Sequence, residues 1–475
     1  MLFPTVTFAV FFLIVLPVSW ALMRHQSVWR AWILLASYVF YAWWDWRFVL
    51  LLAASTVVNH VLAVAIHRTA AIGARKVLLG LAIAFDLGFL GYFKYANFFL
   101  STTDNVAGTS FIAHVVLPVG ISFYSFMAIS YVVDTYRGEL VPASFARFAV
   151  FQAFFPHLVA GPIVRASELL PQLARPRDPR QVDVSRAFLL IVSGLFLKVV
   201  IANHLATSIV DEVFAAPDRH SSLEVLFGIY GYAVQIFADF CGYTNIAIGI
   251  ALLLGFEFPQ NFASPYTAVS LQDFWRRWHM TLSRWLRDYL YIPLGGNRKG
   301  SLKTYRNLML TMLLGGLWHG AAWTFVVWGG IHGLGLCVER ATGWRPTSSA
   351  AQWLGRIVTF HVVCFAWIFF RADSFARAWE VIRRLFTAWG APSPLVTTSV
   401  LLAILVGIGG QYVRPGAIAR KPGAKEQNKS RKARNIGIVS HAGSSSSSPL
   451  AAQPPELRSI RCRSVGGPDS RITRA

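Results

Sequence analysis

Two histidines in this chain lie where an imidazole is costly to keep. His319 falls inside LLGGLWHGAAWTFVVWGGIHG, residues 313–333, an apolar stretch rich in glycine. An ionisable group at membrane depth is a functional candidate by default. Gly315, Gly316 and Gly320 leave room beside its ring for another helix or for a substrate chain. His279 falls in DFWRRWHMTLSRWLRDYLYIPLGGN, residues 273–297. Wound at about 100° per residue, that stretch puts Trp275, Trp278, Leu282, Trp285, Leu286, Tyr289 and Leu290 on one arc, with Arg276, Arg277, Arg284, Arg287 and Asp288 on the other. His279 sits at the edge of the apolar arc, partly desolvated. A well-placed imidazole takes the proton of a hydroxyl as a general base, an effect of about 10² to 10⁴-fold, and proton removal from an alcohol beside a thioester or ester amounts to acyl transfer. A packed, hydrogen-bonded histidine is the structural alternative at both positions.

Other chemistries lack their signatures. The chain has no GxSxG elbow, no HExxH and no paired CxxC. Cys241, Cys337 and Cys364 read as core thiols and Cys462 as incidental to the tail, so neither a disulfide framework nor a metal site is expected. His332 points about 140° away from His319 on a helix, which rules out a same-face metal pair and makes it structural. Arg276 and Arg277 suit the phosphates of a coenzyme or carrier-bound thioester, and suit lipid headgroups equally. In ADFCGYTN, Asp239, Tyr243 and Asn245 bring polar groups into an apolar region, where a carboxylate is either functional or internally hydrogen-bonded. Asp239 and Tyr243, with Trp278 and Trp318 beside the two histidines, complete the candidate substrate-binding set.

The elements that must position these groups are membrane helices. Of 475 residues, 55% are hydrophobic, and the long runs almost free of charge specify an all-α polytopic membrane protein. At about 20 apolar residues per span, roughly ten to twelve transmembrane or re-entrant helices are expected. Ten-residue alternating strands are absent, which argues against a β-barrel. The net charge of +22 is spread over short loops and the tail, as cytoplasmic loops require, and carries no nucleic-acid signature. Without a basic leader region or a small-residue cleavage site, the first apolar stretch reads as a retained span. Alternation of basic and non-basic loops places the N-terminus outside and the basic loops in the cytoplasm.

Along the chain, Trp43, Trp44 and Trp46 suit an interfacial belt. The loop 101–110 has no Lys or Arg. Lys94, near the end of an apolar helix, is expected to snorkel to the interface. Two prolines and a glycine in residues 151–165 imply a broken or re-entrant helix, with His157 and Arg165 either lining a cavity or anchoring at the interface. The apolar region 223–255 reads as a helix hairpin interrupted at ADFCGYTN. Residues 1–413 form the membrane domain. In residues 414–475, 13 Lys and Arg face 3 acids beside a serine run, a composition that cannot bury a core and reads as a disordered tail.

The two histidine stretches together closely resemble the membrane-bound O-acyltransferase family, in its bacterial alginate O-acetylation branch. GYFKYANFF, LPVGISFYSF, FPHLVAGPIVR, the ADFCGYTNIAIG region, FPQNFASPY and FFRADSF extend the resemblance over residues 1–413. The branch's FSGYSD reads FCGYTN here, with Cys241 and Asn245 replacing a serine and a carboxylate, and the tail does not look like the family's last helices. The resemblance implies that His319 is the catalytic base and that His279 orients the acceptor or polarises the donor carbonyl, the two meeting in a central tunnel. It implies an acyl donor on the cytoplasmic side, acetyl-CoA or a carrier-bound thioester, used as substrate with no resident cofactor. The acceptor is an exported polysaccharide or cell-envelope glycan at the bacterial inner membrane, with an extracytoplasmic acetyltransferase as a possible partner. Transfer of another acyl group of D-alanyl type is one alternative. A transporter or non-catalytic assembly subunit is another, though transporters commonly carry two related halves and these motifs occur once each.

Overall fold

The Ser222–Leu253 helix runs through the centre of the molecule, with most of its length buried by neighbouring helices. A computed structural model describes residues 1–98 and 116–413; the loop 101–110 and the proposed tail 414–475 lie outside the described residues. Every long element is helical, as expected. Among the described residues five helices are long and apolar enough to cross a membrane by length and composition: Arg47–Arg68, Ile72–Phe98, Val184–Ala215, Ser222–Leu253 and Ser349–Arg371. Shorter apolar helices, Val6–Leu22 and Thr398–Tyr412, join Gln26–Ala42, Ile121–Arg137, Ser301–His319 and Trp323–Thr342 around them.

The expected hairpin at ADFCGYTN is not there. Ser222–Leu253 is one unbroken helix of 32 residues. Two of its polar residues find partners without breaking the backbone ladder: Asp239 pairs with Lys198, and the Thr244 hydroxyl donates to the Cys241 carbonyl at 3.1 Å. Gly242 serves close packing, since a Cβ there would lie 2.6 Å from the Gly194 carbonyl oxygen of the neighbouring helix. Small residues let membrane helices approach backbone to backbone in this way.

The break expected in 151–165 is present. Phe145–Ala153 stops, Phe155–Leu158 makes one turn, and irregular chain leads to Ala166–Leu173. Residues 151–158 and 161–164 are buried by protein, which is the condition for irregular backbone at depth. His157 does not line a cavity: it is fully buried, its Nε2 is 3.0 Å from the Phe151 carbonyl oxygen, and its ring stacks on Phe258. Arg165 is paired with Asp288 at 2.8 Å.

Candidate active site

The helix expected over residues 273–297 is broken at its most informative residue. Leu271–Arg277 ends, Met280–Leu286 begins, and a wider turn follows at Arg287–Tyr291. Between the two helices His279 adopts φ 40° and ψ 54°, the left-handed region that non-glycine residues seldom enter. The FPQNFASPY loop holds it there. The Ala263 N–H donates to the Arg277 carbonyl at 3.0 Å, and the Met280 N–H donates to the Asn261 carbonyl at 2.9 Å, so backbone groups freed by the break find partners. The break turns the imidazole inward, where it is 1% exposed, with Nδ1 3.1 Å from Asn261 Oδ1. Nε2 has no protein partner.

His319 is the last residue of Ser301–His319. Gly316 presses against the Phe325 carbonyl, and Gly329 against that of Met312, so this helix and Trp323–Thr342 meet backbone to backbone. The room beside Gly316 is therefore filled by a helix. A helix C-terminus leaves carbonyls unpaired. Here the neighbouring wide turn Gly91–Tyr95 supplies donors: Lys94 Nζ bonds the Trp318 carbonyl, and the Tyr95 hydroxyl donates to that of Leu317 at 2.7 Å. Lys94 also lies 5.5 Å from the Trp318 ring centroid. It does not snorkel; it caps the helix that presents His319.

The two imidazoles lie 6.4 Å apart, centroid to centroid, with ring planes inclined at 59°. Both line a partly enclosed cavity of about 310 Å³. Lys94, Ser122, Phe123, Ile236, Asp239, Phe240, Trp278, Trp318, Trp367 and Phe370 complete its wall, drawn from helices far apart in sequence. The wall is mainly aromatic. Phe240 meets His279 edge-on at 4.7 Å, and Trp328 and Phe370 meet His319 at 5.1 and 5.3 Å. Two imidazoles, Lys94, Ser122 and Asp239 are the polar groups of this otherwise apolar wall, a small polar set of the kind that orients a bound molecule. Among the described residues no cluster of three His, Cys, Asp or Glu could hold a metal ion. The nitrogen bases suit proton transfer.

Of the residues expected at the site, His279, His319, Trp278, Trp318 and Asp239 are brought together around the cavity. Tyr243 is not: its ring stacks on Phe3 at 4.7 Å, away from the cavity wall. Arg277 is held by Asp273 at 2.9 Å, and Arg276 is exposed; neither lines the cavity. His332 is fully buried among Phe274, Trp275 and Trp328, outside the wall. Lys94, Asn261, Trp367 and Phe370 were missing from the expected set. The Phe370 position carried a signal, because FFRADSF was already part of the resemblance; Asn261 likewise lay in FPQNFASPY.

Comparison with known proteins follows the same lines. The sequence model of the membrane-bound O-acyltransferase family matches residues 87–377. The chain is 43% identical to the probable alginate O-acetylase AlgI of Pseudomonas aeruginosa over 367 residues, covering 75% of this chain and 69% of that protein. It is 38% identical to the peptidoglycan O-acetyltransferase of Helicobacter pylori over 385 residues, covering 74% and 73%. It is also 29% identical to the teichoic acid D-alanyltransferase of Bacillus subtilis over 276 residues, covering 54% and 69%. The family match takes in both histidines and most of the cavity wall, and on that footing the chain belongs to the membrane-bound O-acyltransferase family.

Proposed function

We propose that this protein transfers an acetyl group from a thioester donor to a hydroxyl of a cell-envelope glycan at the bacterial inner membrane. The observation that carries the reading is the placement of two imidazoles 6.4 Å apart in one cavity among membrane helices. In this mechanism His319 removes the proton of the acceptor hydroxyl as its oxygen attacks the acyl carbon. An oxygen–carbon bond forms, the carbon–sulfur bond of the donor breaks, and the thiolate leaves and recovers the proton from the imidazolium. No water or metal enters the balance. The aromatic wall limits water, which protects the thioester from hydrolysis and strengthens each polar contact inside. Positioning of the two substrates in one cavity supplies the remaining acceleration. Acetyl-CoA or a carrier-bound thioester fits the donor role as a substrate, with an extracytoplasmic acetyltransferase as a candidate partner.

The names of the alginate and peptidoglycan relatives favour acetyl. The teichoic acid relative keeps D-alanyl transfer as the second reading. The two separate by releasing alkali-labile groups from envelope polysaccharide of cells with and without the protein. Acetate that depends on the protein supports the first reading. Alanine in its place supports the second, and neither would remove both.

A further inference from the structure

Asn261 does more than close the loop beneath His279. Its Oδ1 receives three contacts: His279 Nδ1 at 3.1 Å, the Thr281 backbone N–H at 3.2 Å and the Thr281 hydroxyl at 2.9 Å. The backbone N–H of Thr281 can only donate, so the amide atom facing it is the oxygen; the reversed amide would set donor against donor. The Thr281 hydroxyl accepts from the Ile163 N–H at 3.0 Å, which leaves its own hydrogen to point at the same oxygen. An oxygen that only accepts makes His279 Nδ1 the protonated nitrogen. In the neutral ring Nε2 then carries the lone pair, and Nε2 is the nitrogen without a protein partner.

We propose that Asn261, braced by Thr281, is a positioning residue that locks His279 as the Nδ1–H tautomer, so that Nε2 accepts a hydrogen bond from a hydroxyl of the acceptor. This rests on the acyltransferase reading and decides between the two roles open to His279. A neutral imidazole whose remaining nitrogen holds only a lone pair cannot polarise the donor carbonyl. His319 takes the proton of the attacking hydroxyl, and His279 holds the acceptor through a neighbouring one. The left-handed backbone of His279 belongs to the same device, because it swings Nδ1 onto Asn261 while the Met280 N–H bonds the Asn261 carbonyl.

The test compares acyl transfer in membranes carrying the full chain, as wild type, Asn261→Asp, Asn261→Leu and His319→Ala. The groups that share the cavity with His279 are His319, Lys94 and Asp239, and all three stay in place in both Asn261 variants. A carboxylate at 261 still accepts all three hydrogen bonds, so the fold persists, but its charge favours the imidazolium. Activity then survives at high pH, and the acidic limb of the rate profile moves upward by about one pH unit or more. Asn261→Leu frees the ring to take the wrong tautomer, and kcat/KM falls on the order of 10²-fold or more. A superimposable pH profile for Asn261→Asp, or full activity for Asn261→Leu, overturns the tautomer lock while leaving the function standing if His319→Ala is inactive. Activity in His319→Ala overturns the function itself. A measurement free of folding effects is the nitrogen-15 spectrum of the histidine-labelled wild type, with His279→Asn to assign the signal. Protonated Nδ1 and bare Nε2 are expected, and the opposite tautomer overturns the proposal.

Discussion

The rings of His279 and His319 share one cavity, 6.4 Å apart between centroids, although neither sits on the other's helix. Each is delivered by a helix terminus: His279 by the gap between two short helices, His319 by the end of a long one. Ends can aim a side chain where a helix interior cannot, because the backbone there is free to leave the helical path. The cost is unpaired peptide groups, offset here by the loop carrying Asn261 in one case and by Lys94 with Tyr95 in the other.

Lys94→Met tests the second of these supports. It leaves the Trp318 carbonyl without its ammonium partner, a loss of about 1–3 kcal/mol for a buried group. The variant is expected to melt at a lower temperature in detergent and to acylate at least about tenfold more slowly, each 1.4 kcal/mol being one decade. Lys94→Arg, which keeps a donor, recovers the melting temperature in part. A Met variant equal to wild type in both measurements would show that Lys94 merely reaches for the interface.

Tyr243→Phe and Asp239→Asn separate residues that the sequence groups together. Tyr243 packs on Phe3 outside the cavity, so removing its hydroxyl is expected to change kcat/KM by less than about twofold. Asp239 lines the cavity and neutralises Lys198, and its side chain is 45% exposed, so Asp239→Asn alters the charge met by substrate with little effect on folding. A raised KM with near-normal melting is the expected outcome. The reverse ranking of the two variants in steady-state kinetics would contradict this placement.

Much of this site was legible in the sequence, and what was not has specific physical causes. His319 stands out as an ionisable residue among glycines in an apolar run, and His279 as a partly desolvated residue at the edge of an apolar arc. The break at His279 was hidden because the partner that stabilises it, Asn261, lies on another segment and only tertiary contact reveals the pairing. The role of Lys94 is hidden for the same reason: its acceptor, the Trp318 carbonyl, belongs to a distant helix. The false hairpin at ADFCGYTN arose from treating polar residues as helix breakers. Asp239 instead found Lys198, and Gly242 found the backbone of Gly194, so the helix ran on.

The most direct measurement is the ester-linked acetate on envelope polysaccharide of cells expressing wild type or His319→Ala at equal membrane abundance. The loss of a general base predicts acetate at the level of cells lacking the protein, a fall of about 10²-fold or more in transfer rate. Acetate at the wild-type level in the His319→Ala cells would contradict the account.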